Sequence, residues 1–542
     1  MGALAAVTVS ARPEPKPAKL AVSRILGHKV QRDSHGRILA WNRPQQNGGY
    51  DRVLRLAWSF LETRVPADRR WGTGLPVYLV SSVYDGRTGQ GSYWQHNPAS
   101  LYGQFVDSLV AWHAYSGDRA AIRLVRRMLD HELAHGTTPA NWAWARVPFA
   151  TACGGDRDYG RCLAGMPRGF YGGIETDKVG ELGFGYAQFY ELTGDRRYLL
   201  AATAAADALA RHVRKGDANR TPWPFRVNAR TGNVLHGEDY GGMVVSPVRL
   251  FDELIRLGAG DVPGYTRARD IAWSWVLHYP LNPRSAAYQQ WSGYFEDISR
   301  NQRNLNQASP TMTARYLLTH PNPGSIDPDW GAHVRDMTEW VRTFLGRGPF
   351  FGAWAIDEQR VPGRPRLCCS DDGLGSTTAR WGAVNALYAE RTGDPEARRR
   401  AIGSLNYATY FTDDGGRVAC CGDDFANAYW FDDGYADYTR SFNWAMAALP
   451  ELAPQRQDHL LGSSSVVQRV SYGRRSVGYR TFDPSGTEVL RLSFRPRAVT
   501  ADGRSLAERS GLDAEGFTVV SAGGGDFVVR VRRDAARAVA IS

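Results

Sequence analysis

Carboxylate side chains stand near tyrosine or phenylalanine at three separated places in the sequence, where they could exchange protons with a substrate. These residues are Glu175 and Asp177, Glu238 and Asp239, and Glu296 and Asp297. An apolar ring beside a carboxyl group disfavours the charged form and raises its pKa, which suits a general acid. Adjacent side chains often point different ways, so we expect an acid and its partner base to come from two different loops.

Helix capping is the alternative role for each of these carboxylates, because Asp and Glu just before a helix accept hydrogen bonds from its first amides. The near-repeat CC(S/G)DD places Asp371, Asp372, Asp423 and Asp424 directly after paired cysteines. We interpret these four mainly as caps or loop organisers. For any single member of the first six, capping stays open.

A short phrase repeats along the chain and predicts where helices turn back on themselves. It runs from an aromatic residue to Ser or Thr, Gly and Asp, and copies end at Asp118, Asp195 and Asp394. A degenerate copy ends at Asp261, Asp327 lies in the remaining gap, and successive positions are 66 to 77 residues apart. Because Gly ends helices and Asp begins them, each copy predicts the tight corner of a helical hairpin.

Helical periodicity on both sides of these corners predicts twelve helices. Their approximate ranges are 50–64, 98–116, 118–135, 177–193, 195–213, 241–257, 263–279, 307–319, 329–345, 376–392, 394–411 and 434–448. Twelve helices joined alternately by tight corners and long loops form a closed (α/α)6 toroid, with an inner ring inside an outer ring. An open solenoid is the alternative, but solenoid repeats rarely carry long aromatic loops on one side only.

The toroid would bring the candidate carboxylates together. Its tight corners lie at one end, which we call the corner end, and its long loops converge at the other, which we call the loop end. All six long loops contain carboxylates and most contain aromatic residues. Concave surfaces built from loops with convergent polar groups are the usual ligand sites, so we predict the cleft at the loop end.

Beyond Pro450 and a predicted loop over 452–465, the pattern changes to short alternating strands separated by Gly, Pro and Asp turns. This pattern predicts a small β-sandwich, for which we expect a stabilising role, with sugar binding as the alternative. We therefore divide the chain into a leader and linker over 1–30, a mainly α barrel over 31–450 and the β-sandwich over 451–542.

The hairpin spacing and loop style over roughly residues 50 to 450 resemble the six-hairpin glycosidase superfamily. That superfamily includes (α/α)6 glycoside hydrolases and, in related toroids, polysaccharide lyases and uronyl epimerases. The resemblance implies a glycoside hydrolase that acts on a polysaccharide or oligosaccharide without a cofactor. Such hydrolysis needs one carboxylic acid and a second carboxylate about 5 to 9.5 Å apart, which the six acids above could supply.

The same loops offer side chains that could hold a sugar, by stacking or by hydrogen bonds. We predict substrate binding by Tyr93, Trp94, His96, Tyr171, Tyr240, Tyr294, Asn306 and Trp430. Core packing is the alternative for the aromatic residues and burial for the histidine. A lyase or uronate epimerase would instead use His96 and Tyr294 near the reacting carbon, and a non-catalytic glycan-binding protein would use the aromatic rim alone.

The charge of the chain does not point to nucleic acid. The net charge is +11, but the basic residues are almost all arginines scattered along the chain, with no basic cluster or nucleic-acid motif. An acidic polysaccharide therefore stays open as a substrate. The sequence also lacks a nucleotide-binding loop, a metal-binding motif and an apolar run long enough to span a membrane, so we expect no cofactor, metal or membrane partner.

Six cysteines and the first residues bear on localisation. Cys153 and Cys162 predict a local disulfide, and the vicinal pairs at 368–369 and 420–421 could cross-link one another. A four-thiolate metal site is the alternative, although adjacent cysteines lack the usual ligand spacing. The N-terminal stretch resembles an atypical signal region followed by a linker, so we expect secretion or a cell-envelope location.

Overall fold

The protein is described here from a computed structural model. It describes residues 24–25, 28–41, 48–69, 72–85, 88–94, 98–149, 172–235, 237–293, 305–347, 352–353, 356–357, 375–418, 428–429 and 434–542. The α-helices in this part of the chain are α1 (Gly48–Thr63), α2 (Val77–Val80), α3 (Pro98–Ser116), α4 (Ala120–His135), α5 (Thr176–Thr193), α6 (Arg196–His212), α7 (Val245–Leu257), α8 (Val262–His278), α9 (Ala308–Thr319), α10 (Trp330–Phe344), α11 (Gly375–Thr392), α12 (Pro395–Ala408) and α13 (Tyr435–Ala448).

These helices form a closed (α/α)6 barrel. The inner ring consists of α3, α5, α7, α9, α11 and α13, each packed on the next, with α13 closing the ring against α3. The helices α1, α4, α6, α8, α10 and α12 form the outer ring. The twelve predicted helices are confirmed within a few residues at each end. The four-residue helix α2 is additional, and its length is too short for a periodic pattern to reveal.

The repeated phrase forms the predicted corners. Asp195 accepts a hydrogen bond from the amide of Arg197 at the start of α6, and Asp394 accepts from Glu396 and Ala397 at the start of α12. Gly194 ends α5 with a φ of 75°, a conformation that only glycine adopts without strain. Helix termination by Gly and helix initiation by Asp therefore produce these corners. The α9–α10 connection near Asp327 differs, because α9 ends at His320 in an extended conformation and Asp329 makes no side-chain cap for α10.

The two rings differ in how much of each helix is buried. In α13, thirteen of fourteen residues are buried, whereas α6 buries six of seventeen, all on one face. Inner helices are enclosed by the outer ring on one side and by the barrel interior on the other, so they need apolar or paired polar side chains all round. A charged residue on an inner helix must therefore find a partner inside the barrel.

Short strands accompany the barrel loops. They are β1 (Arg24–Ile25), β2 (His28–Lys29), β3 (Ser81–Asp85), β4 (Gln90–Trp94), β5 (Gly173–Glu175), β6 (Arg226–Asn228), β7 (Leu305–Asn306), β8 (Gly346–Arg347), β9 (Gly352–Ala353), β10 (Ile356–Asp357) and β11 (Ala428–Tyr429). They pair antiparallel as β1–β2, β5–β6, β8–β9, β7–β10 and the three-stranded order β11–β3–β4. These ribbons brace the loops that precede the inner helices.

The C-terminal region is a sandwich of two antiparallel sheets. Its strands are β12 (His459–Ser463), β13 (Val467–Gly473), β14 (Ser476–Thr481), β15 (Gly486–Leu492), β16 (Val499–Ala501), β17 (Arg504–Ser505), β18 (Gly516–Gly523), β19 (Asp526–Arg533) and β20 (Ala538–Ile541). The sheet orders are β12–β15–β19–β18 and β13–β14–β20–β16–β17. The sequence pattern assigns His459–Ser463 to a loop, but this segment forms an edge strand because Leu460 and Leu461 are buried there.

The sandwich covers the corner end of the barrel. The Tyr472 hydroxyl donates a hydrogen bond of 2.5 Å to the Ala114 carbonyl, and the His459 ring stacks on Tyr115 at 3.9 Å between centroids. The Gln468 side-chain amide donates to the Glu191 carbonyl at 2.7 Å. The loop end of the barrel therefore lies on the side away from the sandwich. No helix in the described ranges is both long and apolar enough to cross a membrane.

Candidate active site at the loop end

A short ribbon positions the first pair of predicted carboxylates. Strand β5 pairs antiparallel with β6, which places Glu175 opposite Arg226. The Thr176 hydroxyl donates a hydrogen bond of 2.6 Å to the Pro224 carbonyl and fixes the start of α5 on this ribbon. Asp177 consequently lies in the first turn of an inner helix, at the loop end of the barrel.

Asp177 is a buried carboxyl group with unused hydrogen-bonding capacity. Its Oδ2 accepts a hydrogen bond of 2.7 Å from the Lys178 ammonium, while its Oδ1 has no hydrogen-bond partner among the described residues. Burial raises the pKa of Asp177 to about 7, although Lys178 acts in the opposite direction, and Glu175 and Glu181 raise it further. A carboxyl group with this pKa can donate or accept a proton near neutral pH.

Arg226 joins two more predicted carboxylates to this group. Its Nε lies 2.7 Å from Glu175 Oε1, and its Nη1 lies 3.3 Å from Glu238 Oε1. The Lys178 ammonium is 3.8 Å from Glu175 Oε2. All these side chains are buried, so the guanidinium holds carboxylates from two consecutive loops beside Asp177. The structure therefore brings together Glu175, Asp177 and Glu238.

Three other predicted residues contact different partners. The Asp239 carboxylate pairs with Arg214 just beyond outer helix α6, at 2.5 Å. The Tyr240 hydroxyl donates to the Gln290 carbonyl at 3.0 Å, and its ring packs edge-on against an outer-helix tryptophan. Asn306 donates from its side chain to the Trp291 carbonyl and accepts from the Ser309 amide, both at 2.9 Å. These contacts hold the loops in place and are consistent with structural roles.

The remaining predicted residues lie wholly or partly outside the part of the chain that the structure describes. Glu296, Asp297, His96, Tyr171, Tyr294 and Trp430 lie outside the described residues, as do the four capping aspartates of the CC(S/G)DD repeat and all six cysteines. Tyr93 and Trp94 lie in β4, where only the backbone is described. The roles assigned to these residues and the disulfides stay predictions.

A layer of buried arginines lies just below the loop end and was not identified from the sequence. Asp107 on α3 stands 3.1 Å from Arg315, 3.4 Å from Arg440 and 3.7 Å from Arg249, which belong to three other inner helices. Burial acts to raise the pKa of Asp107, but the three guanidinium groups outweigh it and leave the pKa below its ordinary value. Burial also lowers the pKa of Arg315 to about 9.

A second carboxylate extends this arginine layer across the barrel. Asp437 on α13 lies 2.7 Å from Arg440 Nη2 and 2.9 Å from Arg380 Nη1, and all three side chains are almost completely buried. Counting Arg249 and Arg315, the layer holds four guanidinium groups against three carboxyl groups, those of Asp107, Asp437 and Glu181, the last of which interacts with Arg440 and Arg249. The excess of positive charge inside the barrel favours an anionic ligand.

The sequence does contain a signal for this layer. Its charged residues on α9, α11 and α13 lie on helices that are buried on nearly every face, and an ionised group in such a helix requires a partner of opposite charge. This signal lies outside the loops that supply the predicted site residues. Within the described ranges, no cluster of three or more His, Cys, Asp or Glu side chains is arranged to hold a metal ion.

Comparison with known proteins gives similarity in structure only. No protein-family model matches the chain, and no curated protein matches it by sequence. A sugar epimerase from a ruminal bacterium superposes with a TM-score of 0.52 at 9% identity, over 73% of this chain and 98% of that one.

Two further structures superpose over a similar length. Cellobiose 2-epimerase from Spirochaeta thermophila gives a TM-score of 0.51 at 12% identity, over 75% of this chain and 98% of its own. Unsaturated glucuronyl hydrolase from Bacillus sp. GL1 gives 0.45 at 13% identity, over 75% and 98%. At these identities the similarity extends to the fold alone. The chain therefore shares its (α/α)6 barrel fold with these two epimerases.

Proposed function

We propose that the protein is a carbohydrate-processing enzyme that hydrolyses a glycosidic bond at the loop end of the barrel, with Asp177 as general acid. The observation that carries this proposal is the buried Asp177 carboxyl, whose pKa of about 7 keeps it partly protonated at neutral pH. Its Oδ1 has no partner among the described residues and is free to contact a leaving-group oxygen. Both properties are requirements for a general acid.

Glu175 suits a positioning role rather than a catalytic one. Its side chain is completely buried, with Arg226 against one oxygen at 2.7 Å and Lys178 near the other at 3.8 Å. A carboxylate held in this way does not reach a substrate, but it fixes the two cations. Lys178 in turn orients Asp177, because its ammonium donates to Asp177 Oδ2 and leaves Oδ1 directed elsewhere.

Hydrolysis also requires a second carboxylate as base or nucleophile. Glu238 is the candidate among the described residues, because it comes from the adjacent loop and lies 3.3 Å from Arg226, which belongs to the same buried group as Asp177. Glu296 and Asp297 belong to the next loop at the same end and are the predicted alternatives. Each of these three residues is substituted separately. Substitution of the true base or nucleophile should abolish turnover and leave substrate binding intact, which identifies the partner.

The arginine layer supports an acidic saccharide as the substrate. Arg380 uses one terminal nitrogen for Asp437, while its Nη2 has no hydrogen-bond partner among the described residues. Arginine binds carboxylates with paired hydrogen bonds that are stronger than those between neutral groups. A uronate whose carboxylate points towards the arginine layer would use this excess of donors.

The same group also fits sugar epimerisation, which is the second candidate function. A carboxyl with a pKa near 7 can remove and return a proton on carbon as readily as it can protonate an oxygen. Two structures that superpose with TM-scores above 0.5 are described as a sugar epimerase and a cellobiose 2-epimerase. A polysaccharide lyase on the same barrel stays a further alternative, and its products would carry a new carbon–carbon double bond.

Product analysis in labelled water distinguishes these reactions. The full-length protein is incubated with neutral and uronate-containing oligosaccharides in oxygen-18 water and in deuterium oxide, and products are examined by mass spectrometry. We expect oxygen-18 in a newly released reducing end. Deuterium on carbon without cleavage would establish the epimerase, and ultraviolet-absorbing products without oxygen label would establish the lyase.

A matched pair of variants connects the reaction to the site. Asp177→Asn is expected to abolish product formation, and Asp195→Asn makes the same change at the corner end, where Asn also caps a helix. Equal activity of the two variants would contradict the assignment of Asp177.

A further inference from the structure

The protein contains a cavity at the corner end of the barrel, on the side away from Asp177. This corner cavity has a volume of about 350 Å³ and lies between the C-terminal halves of inner helices and strands β12 and β15 of the sandwich. Asp107 and Arg315 form its wall towards the loop end, and Leu461 and Val489 contribute from the sandwich. Its volume lies at the lower end of the range for small-molecule sites, about 300 to 1,000 Å³.

Buried polar groups without partners face this cavity. Asn443 on α13 lines it and is only 2% exposed, yet neither the oxygen nor the nitrogen of its side-chain amide has a hydrogen-bond partner among the described residues. The same holds for Gln188 Oε1 and Arg315 Nε, which also belong to lining residues. Buried polar atoms are nearly always paired, so a cluster of exceptions at one cavity indicates a ligand.

Comparison with another buried asparagine shows that the fold could have paired Asn443 internally. Asn385 on inner helix α11 is equally buried, and its side-chain nitrogen donates to the Trp381 carbonyl one turn earlier at 2.9 Å. Asn443 has a carbonyl in the corresponding position of its own helix but makes no such bond. Its amide is directed into the corner cavity instead.

The rest of the lining specifies a neutral ligand with apolar and polar faces. Asp107 and Arg315 neutralise one another at 3.1 Å, and the remaining charged lining residue, Glu390, is exposed and would repel an anion. Val110, Leu461 and Val489 provide an apolar surface opposite the amides. Sugars combine C–H faces with hydroxyl groups that both donate and accept hydrogen bonds, which matches this arrangement.

We propose that the corner cavity binds a neutral monosaccharide or disaccharide at a site separate from the loop-end site. Sugar hydroxyls donate to Asn443 Oδ1 and Gln188 Oε1 and accept from Asn443 Nδ2 and Arg315 Nε. The apolar wall contacts the C–H face of the ring. This site does not depend on catalysis at Asp177, because the arginine layer lies between the two.

Calorimetric titration of the full-length Asp177→Asn variant tests the proposal, because that background prevents turnover. Glucose, galactose, mannose and cellobiose serve as neutral probes and glucuronate as the charged comparison. We expect at least one neutral probe to bind with the same affinity in the wild-type protein and in Asp177→Asn. Adding Asn443→Leu should weaken binding about tenfold or more, because two hydrogen-bonding groups are lost.

Two further variants provide a second test of the cavity and a surface control. Ala111→Leu narrows the corner cavity from its apolar wall and should also abolish binding, so it decides the question if Asn443→Leu does not fold. Asn219→Leu makes the same chemical change on the surface and should have no effect. The proposal is overturned if no neutral probe binds at millimolar concentration, or if binding survives both Asn443→Leu and Ala111→Leu. Neither result depends on whether oligosaccharides are cleaved at the loop end.

Discussion

Two aspartates in one helical hairpin show how the two ends of the barrel differ. Asp195 precedes α6 at the corner end, where hydrogen bonds from the Arg197 side chain and amide, together with Arg126, lower its pKa to about 2. Asp177 lies in the first turn of α5 at the loop end, where burial raises its pKa to about 7. Both residues stand near a helix start, but one is a permanently charged cap and the other exchanges protons.

The same contrast holds for other carboxyl groups at the two ends. At the corner end, Asp118 accepts hydrogen bonds from the Ala120 and Ala121 amides, and its pKa is lowered despite partial burial. Glu132 lies in the last turn of α4 on the loop side, where it is fully buried and neither carboxyl oxygen has a partner among the described residues. Burial raises its pKa to about 8. The capping aspartate Asp118 therefore stabilises a helix start, whereas the buried Glu132 reduces stability. The contrast is one between capping and buried carboxyl groups, because burial also raises the pKa of Glu191 at the corner end, to about 10.

The largest expected effect is on catalysis. Asp177→Asn should lower kcat by about 10² to 10⁴-fold, the usual contribution of a general acid. In the wild-type protein, kcat should fall as pH rises through about 7, because Asp177 must carry its proton to act. A kcat profile from pH 5 to 9 measures this, with Asp195→Asn as the control. A profile with no decline near pH 7 would show that another group is the acid.

The next effect is on stability through the arginine layer. Arg440→Met leaves Asp437 with Arg380 alone and removes one of three cations around Asp107, so the free energy of unfolding should fall by about 3 to 5 kcal/mol. Urea unfolding at pH 7 measures the change. Arg197→Met is the control because that side chain is 60% exposed, and it should change stability by less than about 1 kcal/mol. Equal losses of stability in Arg440→Met and Arg197→Met would mean that the buried ion pairs of Arg440 contribute no more to stability than those of an exposed arginine.

Asp177 should also make stability depend on pH. Its pKa rises from 3.8 when unfolded to about 7 when folded, so the folded state retains the proton more strongly. The contribution to stability is complete below about pH 4, is lost as pH rises to about 7 and stays constant above it. At about 1.4 kcal/mol per pKa unit, the loss approaches about 4 kcal/mol. The free energy of unfolding is measured for the wild type and Asp177→Asn at pH 4, 5.5 and 7, and the wild-type value should fall relative to that of the variant as pH rises. The same pH dependence in both proteins would contradict this prediction.

Glu132 should make stability depend on pH with the same sign, without any change in activity. Its pKa is 4.5 when unfolded and about 8 when folded, so its contribution to stability is complete below about pH 4.5 and is lost between about 4.5 and 8. Glu132→Met removes the partnerless oxygens and should stabilise the protein at neutral pH by about 1 to 3 kcal/mol. Thermal unfolding at pH 5 and 7.5 measures it. A destabilised variant would imply that Glu132 has a partner in the folded protein.

The smallest effect is expected at the corners. Asp195→Ala removes the hydrogen bond to the Arg197 amide and should lower stability by about 1 kcal/mol, while Asp195→Asn retains the cap and should be close to neutral. Because Asp195 is charged throughout the accessible range, this loss should be the same at pH 5 and pH 8. Loss of activity in Asp195→Ala would contradict the view that the corner end has a structural role and the loop end the catalytic one.

Local patterns in the sequence predicted the scaffold closely. Gly194 and Asp195 specify a corner by backbone conformation and capping, and those preferences depend only on neighbouring residues. The sequence also named Glu175, Asp177 and Glu238 as acids of the same end. It could not separate their roles, because capping and catalysis use the same residue types at the same distance from a helix start.

The arginine layer and the strand His459–Ser463 show the limit of that approach. Asp107 and Arg440 are 333 residues apart in the chain and pair only because α13 closes the ring against α3. The segment His459–Ser463 becomes a strand only because it lies between β15 and the barrel. Contacts of this kind depend on which elements become neighbours, and no local pattern encodes that.

The sequence by itself determined the helical hairpins, their number, the loop-bearing end of the barrel and the residue types gathered there. Only the tertiary structure leaves one Asp177 oxygen without a hydrogen-bond partner among the described residues while Arg226 forms ion pairs with Glu175 and Glu238. It also places Asn443 in the lining of a cavity. The physical reason is that helix starts and stops are set by short-range backbone preferences. The pKa of a carboxyl and the pairing of an amide depend instead on burial and on charges brought from distant parts of the chain.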